Sequence, residues 1–213
     1  EASFDGHVRP ILSRLGCNAG ACHASQFGKG GFVLSVIGFD PQLDYASIVR
    51  DRMQRRINFL EPEESLFLKK PTAGVAHGGG QRLTTNSLAY ETLIAWVRQG
   101  APAPKNDAPK VTRLEVFPPE RLVQPGEEQQ LRVSATYSDG VIRDVTHLAK
   151  FDSLDVGVVT VTPDGLVDVA GRGQTAIMVR YEGEASIAMF VSPYGPAPEL
   201  ADWKPNNFID ELA

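Results

Sequence analysis

The sequence predicts two domains of different class, a mainly α domain followed by an all-β sandwich, and three observations predict it. Near the start, Phe4, Val8, Ile11, Leu12 and Leu15 recur at three- and four-residue intervals, the spacing of one apolar helix stripe. From Ala101 to Pro109 the chain reads Ala-Pro-Ala-Pro-Lys-Asn-Asp-Ala-Pro, too rich in proline for a helix or a central strand. Beyond it the apolar period falls to two, in short runs separated by turn signals. The expected organisation is a first domain over residues 1–104, a linker at 105–110, the sandwich at 111–193 and a tail at 194–213.

Within the first part, the Phe4–Leu15 helix runs straight into Cys17. Gln26 to Phe32 is glycine-rich loop, and the apolar run Phe32 to Phe39 is a short strand or buried loop. Asp44 to Arg56 reads as a helix with Asp44 as its cap, and a further short helix starts in Pro62 to Leu68. Pro71 to Arg82 is irregular. Asn86 or Ser87 caps a helix from Leu88 to Arg98 that ends at Gly100. In the second part, Val111–Phe117, Gln130–Tyr137, Val141–Val145, Val156–Val161, Leu166–Val169, Ala176–Tyr181 and Ala185–Val191 read as strands. Turns are expected at Ser138-Asp139-Gly140, Pro163-Asp164-Gly165 and Glu182-Gly183. About seven short strands with a turn every ~8–12 residues are the pattern of a β-sandwich.

Composition narrows the function classes. At 213 residues with 42% hydrophobic content, the chain has enough apolar material for packed cores. The net charge of −5 is uneven, with 11 Lys and Arg against 9 Asp and Glu over residues 1–104, and 10 against 17 over 105–213. No basic stripe with interleaved aromatics occurs, so nucleic acid is not the expected partner. Arg50, Arg52, Arg55 and Arg56 read as a solvated helix face. No run of eighteen apolar residues spans a membrane, and the start is not a signal peptide, so any export signal is expected to have been removed.

The most informative residues are the only two cysteines, in Cys17-Asn18-Ala19-Gly20-Ala21-Cys22-His23. Covalent haem attachment needs two thiols to meet the two vinyl groups of one porphyrin edge, with an imidazole directly after the second thiol to reach the iron. Cys-x-x-Cys-His meets that requirement. Here the spacing is two residues longer. The extra residues are expected to bulge outward, since all are small and Gly20 can adopt positive φ. A Cys17–Cys22 disulfide is the first alternative, but it leaves the position of His23 unexplained. A zinc site would use Cys17, Cys22 and His23 or His77, and the chain lacks a second cysteine pair to complete it. A Cys-His hydrolase lacks a third group and an oxyanion loop.

A second axial ligand to the iron would be methionine or histidine. Met178 and Met189 fall at β positions and read as core, His147 lies in a β connection, and His7 faces the first helix. Met53 sits in the arginine-rich segment. His77, in Gly74-Val75-Ala76-His77-Gly78-Gly79-Gly80, is the favoured ligand, because its glycines let backbone approach a flat cofactor.

Several stretches resemble the planctomycete-type cytochrome c domain: Pro10-Ile11-Leu12-Ser13, Cys17-x4-Cys22-His23 with Gly28-Lys29-Gly30-Gly31-Phe32, His77-Gly78-Gly79-Gly80, and Trp96 to Pro102. Residues 111–193 resemble the bacterial immunoglobulin-like group-two domain, in Leu114-x-Val116, Tyr137-Ser138-Asp139-Gly140, Asp144-Val145-Thr146 and Gly165-Leu166-Val167. The first resemblance implies a cytochrome c-like α domain with one covalent haem c and periplasmic or otherwise extracytoplasmic electron transfer. In its Cys-x-x-Cys-His members a methionine stands near the place of His77. The resemblance also implies an N-terminal fragment of a larger protein, with Asn207-Phe208-Ile209-Asp210 opening the next domain.

The expected function is therefore electron transfer rather than catalysis, by a haem joined through Cys17 and Cys22 and ligated by His23 and His77. Its partner would be a redox protein or a C-terminal domain of the same polypeptide. A haem sensor or enzyme with an open sixth position follows if His77 points away. A haem-free adhesive or carbohydrate-binding module follows if the cysteines form a disulfide. The aspartates at 139, 144, 152, 155, 164 and 168 read as turn and edge residues, without a calcium-loop pattern.

Overall fold

Ser3 opens the first helical segment by accepting the Gly6 N–H on its side chain. A π-helical turn at Phe4–Val8 then runs into α1 (Arg9–Arg14), burying Phe4, Val8, Ile11 and Leu12 as the apolar stripe requires. The computed structural model describes residues 2–24, 26–195, 204 and 206–208, so the expectation for residues 209 and 210 lies outside the described residues.

The first half is not the mainly α, cytochrome c-like domain that the sequence predicts. The chain is 23% helix against about 26% strand in three sheets. α1, α2 (Pro41–Tyr45) and α3 (Leu66–Lys69) have six, five and four residues, and only α4 (Leu88–Arg98) reaches eleven. The clearest departure is Asp44–Arg56. Its cap is Asp40, which accepts the Gln42 and Leu43 N–H groups, and helical turns persist only to Arg50. Asp51 is extended, and Arg52, Met53 and Gln54 take positive φ of 55°, 55° and 61°, which no helix tolerates. That reversal returns Ile57 to the core. Asp44 is buried inside α2, where its carboxylate accepts the Ser35 N–H at 2.6 Å and the Ser35 hydroxyl at 2.9 Å. Nor is Phe32–Phe39 buried throughout, because Val36, Ile37 and Phe39 are exposed.

What holds this loop-rich half is an aromatic cluster. Phe4 meets Tyr45 edge-on at 5.5 Å, and Trp96 lies 5.7 Å from Phe4 and 6.0 Å from Phe67. The polar tips are satisfied, with Trp96 Nε1–H donating to Pro102 O at 3.1 Å and the Tyr45 hydroxyl to Ala101 O at 3.0 Å. α4 carries Trp96 into place, capped by Ser87, which accepts the Tyr90 N–H.

The second half fits an immunoglobulin-like domain. Its ten strands are β1 (Val111–Phe117), β2 (Glu120–Leu122), β3 (Glu128–Gln130), β4 (Arg132–Tyr137), β5 (Ile142–Asp144), β6 (Lys150–Ser153), β7 (Val159–Val161), β8 (Leu166–Val169), β9 (Gly173–Tyr181) and β10 (Glu184–Ser192). Hydrogen bonds join them as β1-β4-β5, β2-β10-β9-β6 and β3-β8-β7. Three more strands form than the alternation suggests, because β2 and β3 have three residues each, too few to display a period, and β6 is half-buried along all four of its residues. Leu131, Val133, Ile177, Val179 and Phe190 form the inner layer. Met178 and Met189, expected as core, are half-buried. Each alternates with buried neighbours on its strand and so faces away from that layer.

α1 faces both halves. Leu148 packs against both cores, and Arg14 Nη2 reaches Asp164 at 2.5 Å and Pro163 O at 3.0 Å, while Nη1 donates to His147 O. Arg9 lies 3.4 Å from the buried Glu182, whose Oε1 has no hydrogen-bond partner among the described residues. Burial raises the Glu182 carboxyl above its ordinary value, against the pull of Arg9. A folded-state pKa above the unfolded value of 4.5 means that protonated Glu182 favours the fold. That contribution is complete below the unfolded value and is lost as pH rises through the raised one. Glu182→Gln holds the side chain neutral, so denaturant melts between about pH 4 and 8 should show a shallower loss of stability with pH than in the parent. Identical slopes would contradict this.

Candidate functional site

Cys17, Cys22 and His23 from one loop and His77 from a second, far along the chain, line one cleft of about 450 Å³, within the range of about 300–1,000 Å³ that small ligands and cofactors fill. Leu12, Leu15, Phe32, Leu66, Phe67 and Leu93 supply its apolar walls.

The Cys17–His23 loop is closed by the His23 N–H donating to Cys17 O at 3.1 Å, with the Cys17 N–H on Leu12 O at 2.9 Å. The loop does not bulge outward at Asn18, which is buried and donates from Nδ2 to Ser13 Oγ at 2.7 Å. Only Gly20 and Ala21 are exposed. The positive φ falls at Gly16 (74°), ahead of the first cysteine, and not at Gly20. Cys17 and Cys22 are not joined in a disulfide. Burial pushes the Cys17 thiol up to about 12, with Cys22 adding to the effect. A thiol so protonated is not poised as a nucleophilic thiolate.

His23 leans on Phe32, with ring centroids 4.6 Å apart, and its Nδ1 lies 3.1 Å from Phe32 O. A carbonyl only accepts, so Nδ1 carries the proton and Nε2 is left for a metal. Burial lowers the His23 pKa, against the opposing pull of the Phe32 and Lys29 carbonyls, and so favours the neutral ring, the form that ligates. Arg56 steadies this wall: its guanidinium lies over the Phe32 ring at 4.7 Å and donates to Ser47 O at 2.7 Å and Gly31 O at 3.0 Å.

His77 repeats the arrangement from the other loop. Its Nδ1 lies 2.7 Å from Gly80 O, which again assigns the proton to Nδ1. Two cations fasten the loop, Lys70 Nζ to Ala76 O at 2.8 Å and Arg82 Nε to Gly79 O at 2.9 Å. A Cβ on Gly79 would sit 3.0 Å from His77 Cε1, so glycine there leaves the ring its place. The two imidazoles have centroids 6.3 Å apart and planes within 16°. Met53, the rival ligand in the sequence, is 97% exposed and does not line the cleft.

Arg50, Arg52 and Arg55 are exposed, but they do not form the helix face the sequence suggests: Arg52, Arg55 and Arg56 line the cleft, and Arg50 stacks over Tyr45 at 5.4 Å. No periodicity could have marked them, since their placement depends on the left-handed turn at 52–54. Among the described residues no three His, Cys, Asp or Glu side chains converge as a metal-binding group. Zinc wants such a set of protein ligands, whereas haem iron needs only axial ones from the protein. Among the described residues no helix is long and apolar enough to cross a membrane. The chain matches no protein-family model, and no curated protein matches it in sequence.

Proposed function

We propose that the cleft carries one covalently attached haem and that the chain transfers electrons through it. One observation carries the reading: the His23 and His77 rings lie with centroids 6.3 Å apart and planes within 16°, each with Nδ1 tied to a backbone carbonyl. Two imidazoles bonded through Nε2 to one metal, at bonds of about 2 Å, have centroids about 6 Å apart. The residues present therefore fit the group.

Bound there, the haem supplies one-electron cycling between ferric and ferrous iron. His23 and His77 would be the residues that hold its iron, and two protein ligands would favour electron exchange over substrate chemistry. Their Nδ1–H bonds fix ring orientation and strengthen both ligands. Cys17 and Cys22 anchor the porphyrin edge. Each thiol would add across one vinyl group, its sulfur bonding one vinyl carbon and its hydrogen the other, so that attachment would need no oxidant. The apolar walls keep water from the iron. Two histidines imply a lower potential than histidine with methionine. The partner on this reading is a redox protein or a further domain of the same polypeptide, in an extracytoplasmic compartment.

His77→Ala tests it. The parent, made with a haem-maturation system, should be low-spin. The variant should turn high-spin and recover the low-spin spectrum with added imidazole. A spectrum unchanged by the substitution would contradict ligation by His77.

A further inference from the structure

The cleft is lined by six cations, Lys29, Arg52, Arg55, Arg56, Lys70 and Arg82, and by no acidic residue, in a chain whose net charge is −5. Three of them are committed: Arg56 to the Ser47 and Gly31 carbonyls, Lys70 to Ala76 and Arg82 to Gly79. Lys29, Arg52 and Arg55 are exposed and form no side-chain hydrogen bond or ion pair among the described residues. Two of these lie at the turn where Arg52, Met53 and Gln54 all adopt left-handed backbone at φ 55°, 55° and 61°. Such conformations cost on the order of 1 kcal/mol or more per non-glycine residue; the return of Ile57 to the core sustains them, and the same turn decides where the flanking arginines stand. The turn sends the apolar Met53 into solvent, 97% exposed, while Arg52 and Arg55 line the cleft. Gly31 makes room for it, since a Cβ there would stand 3.2 Å from Arg52 Nη2. Unpartnered guanidiniums gathered at the mouth of a cleft lined by six cations and no acidic residue are a binding arrangement for an anion.

We infer that Lys29, Arg52 and Arg55 form a carboxylate clamp that receives the propionates of the porphyrin and so fixes which edge of it faces the thiols. The inference rests on the haem reading and adds to it the orientation of the ligand. Guanidinium is suited to the task, since its planar fork pairs with carboxylates in two-bond geometry.

The test uses the full chain with Cys17→Ala and Cys22→Ala, so that loading is non-covalent and reversible. This parent and a Lys29→Gln/Arg52→Gln/Arg55→Gln version are titrated with iron protoporphyrin IX and with its dimethyl ester, following the low-spin absorption band. The parent should bind the free acid about tenfold more tightly than the ester. The triple variant should lose that preference and keep the low-spin band. Lysine at 52 and 55 should retain part of the preference. Comparing the ratio between proteins cancels the different solubility of the two porphyrins. Equal affinities in the parent, or an unchanged ratio in the triple variant, would overturn the clamp while leaving axial ligation intact. A parent that gives no low-spin band with either porphyrin overturns the haem reading and the clamp with it.

Discussion

Replacing Cys17 and Cys22 together by alanine should leave no haem bound covalently. On the proposed haem reading each thiol would form one thioether, so each single variant should retain one bond and the double variant none, with every haem extractable in acidified organic solvent. The structure makes the outcome discriminating. The two cysteines carry no disulfide, Cys17 is held protonated by burial, and both thiols stand in the cleft with His23 and His77. If the cysteines were only packing residues, the single and double variants would carry the same amount of acid-resistant pigment as the parent. A parent with no acid-resistant pigment at all would exclude thioethers. Spectra of the single variants add a second readout, because a vinyl group left unreacted stays conjugated with the porphyrin and shifts its bands to longer wavelength.

Trp96→Ala should be the most destabilising single substitution in the first half. Trp96 is fully buried, touches Phe4, Tyr45 and Phe67, and its indole N–H satisfies Pro102 O. Truncating a buried tryptophan to alanine costs about 3–5 kcal/mol, and here it also strips a hydrogen bond. The consequence is larger because this half has few long helices to share the load. Chemical denaturation of the parent and variant measures the loss. Phe39→Ala is the matched control, since Phe39 is 90% exposed and its removal should change stability by less than about 0.5 kcal/mol. A Trp96→Ala loss no larger than that of the control would contradict the packing described here.

Legibility in the sequence tracks how local the cause is. α4 is visible because its cap, its apolar face and Gly100 all lie within one stretch, and the turns at Gly140, Gly165 and Glu182-Gly183 carry their own backbone signal, each glycine at positive φ. β2 and β3 are invisible because two residues on one face make no pattern, while β5 and β7, no longer than these, are legible from the apolar residues and turn signals beside them. The segment 44–56 misleads because Ile48, Val49 and the arginines suit a helix on propensity alone. The reversal at 52–54 comes from tertiary demands: Ile57 must reach the core and Arg56 the carbonyls of Ser47 and Gly31. The same distinction separates the site residues. Cys17, Cys22 and His23 are adjacent in sequence and so announce themselves. His77 is reached by elimination among few candidates, helped by its glycines. Phe32, Arg52, Arg55 and Arg56 join the site only through folding, and no spacing in the chain records it.

The central claim is a single haem bonded to this chain and ligated by two histidines. Its most direct test is the intact mass of the denatured full chain made with a haem-maturation system, paired with the absorption spectra of the native protein, oxidised and reduced. The expected result is the mass of the polypeptide plus one haem, with low-spin spectra in both oxidation states. The mass of the bare polypeptide, from a colourless protein, would contradict it.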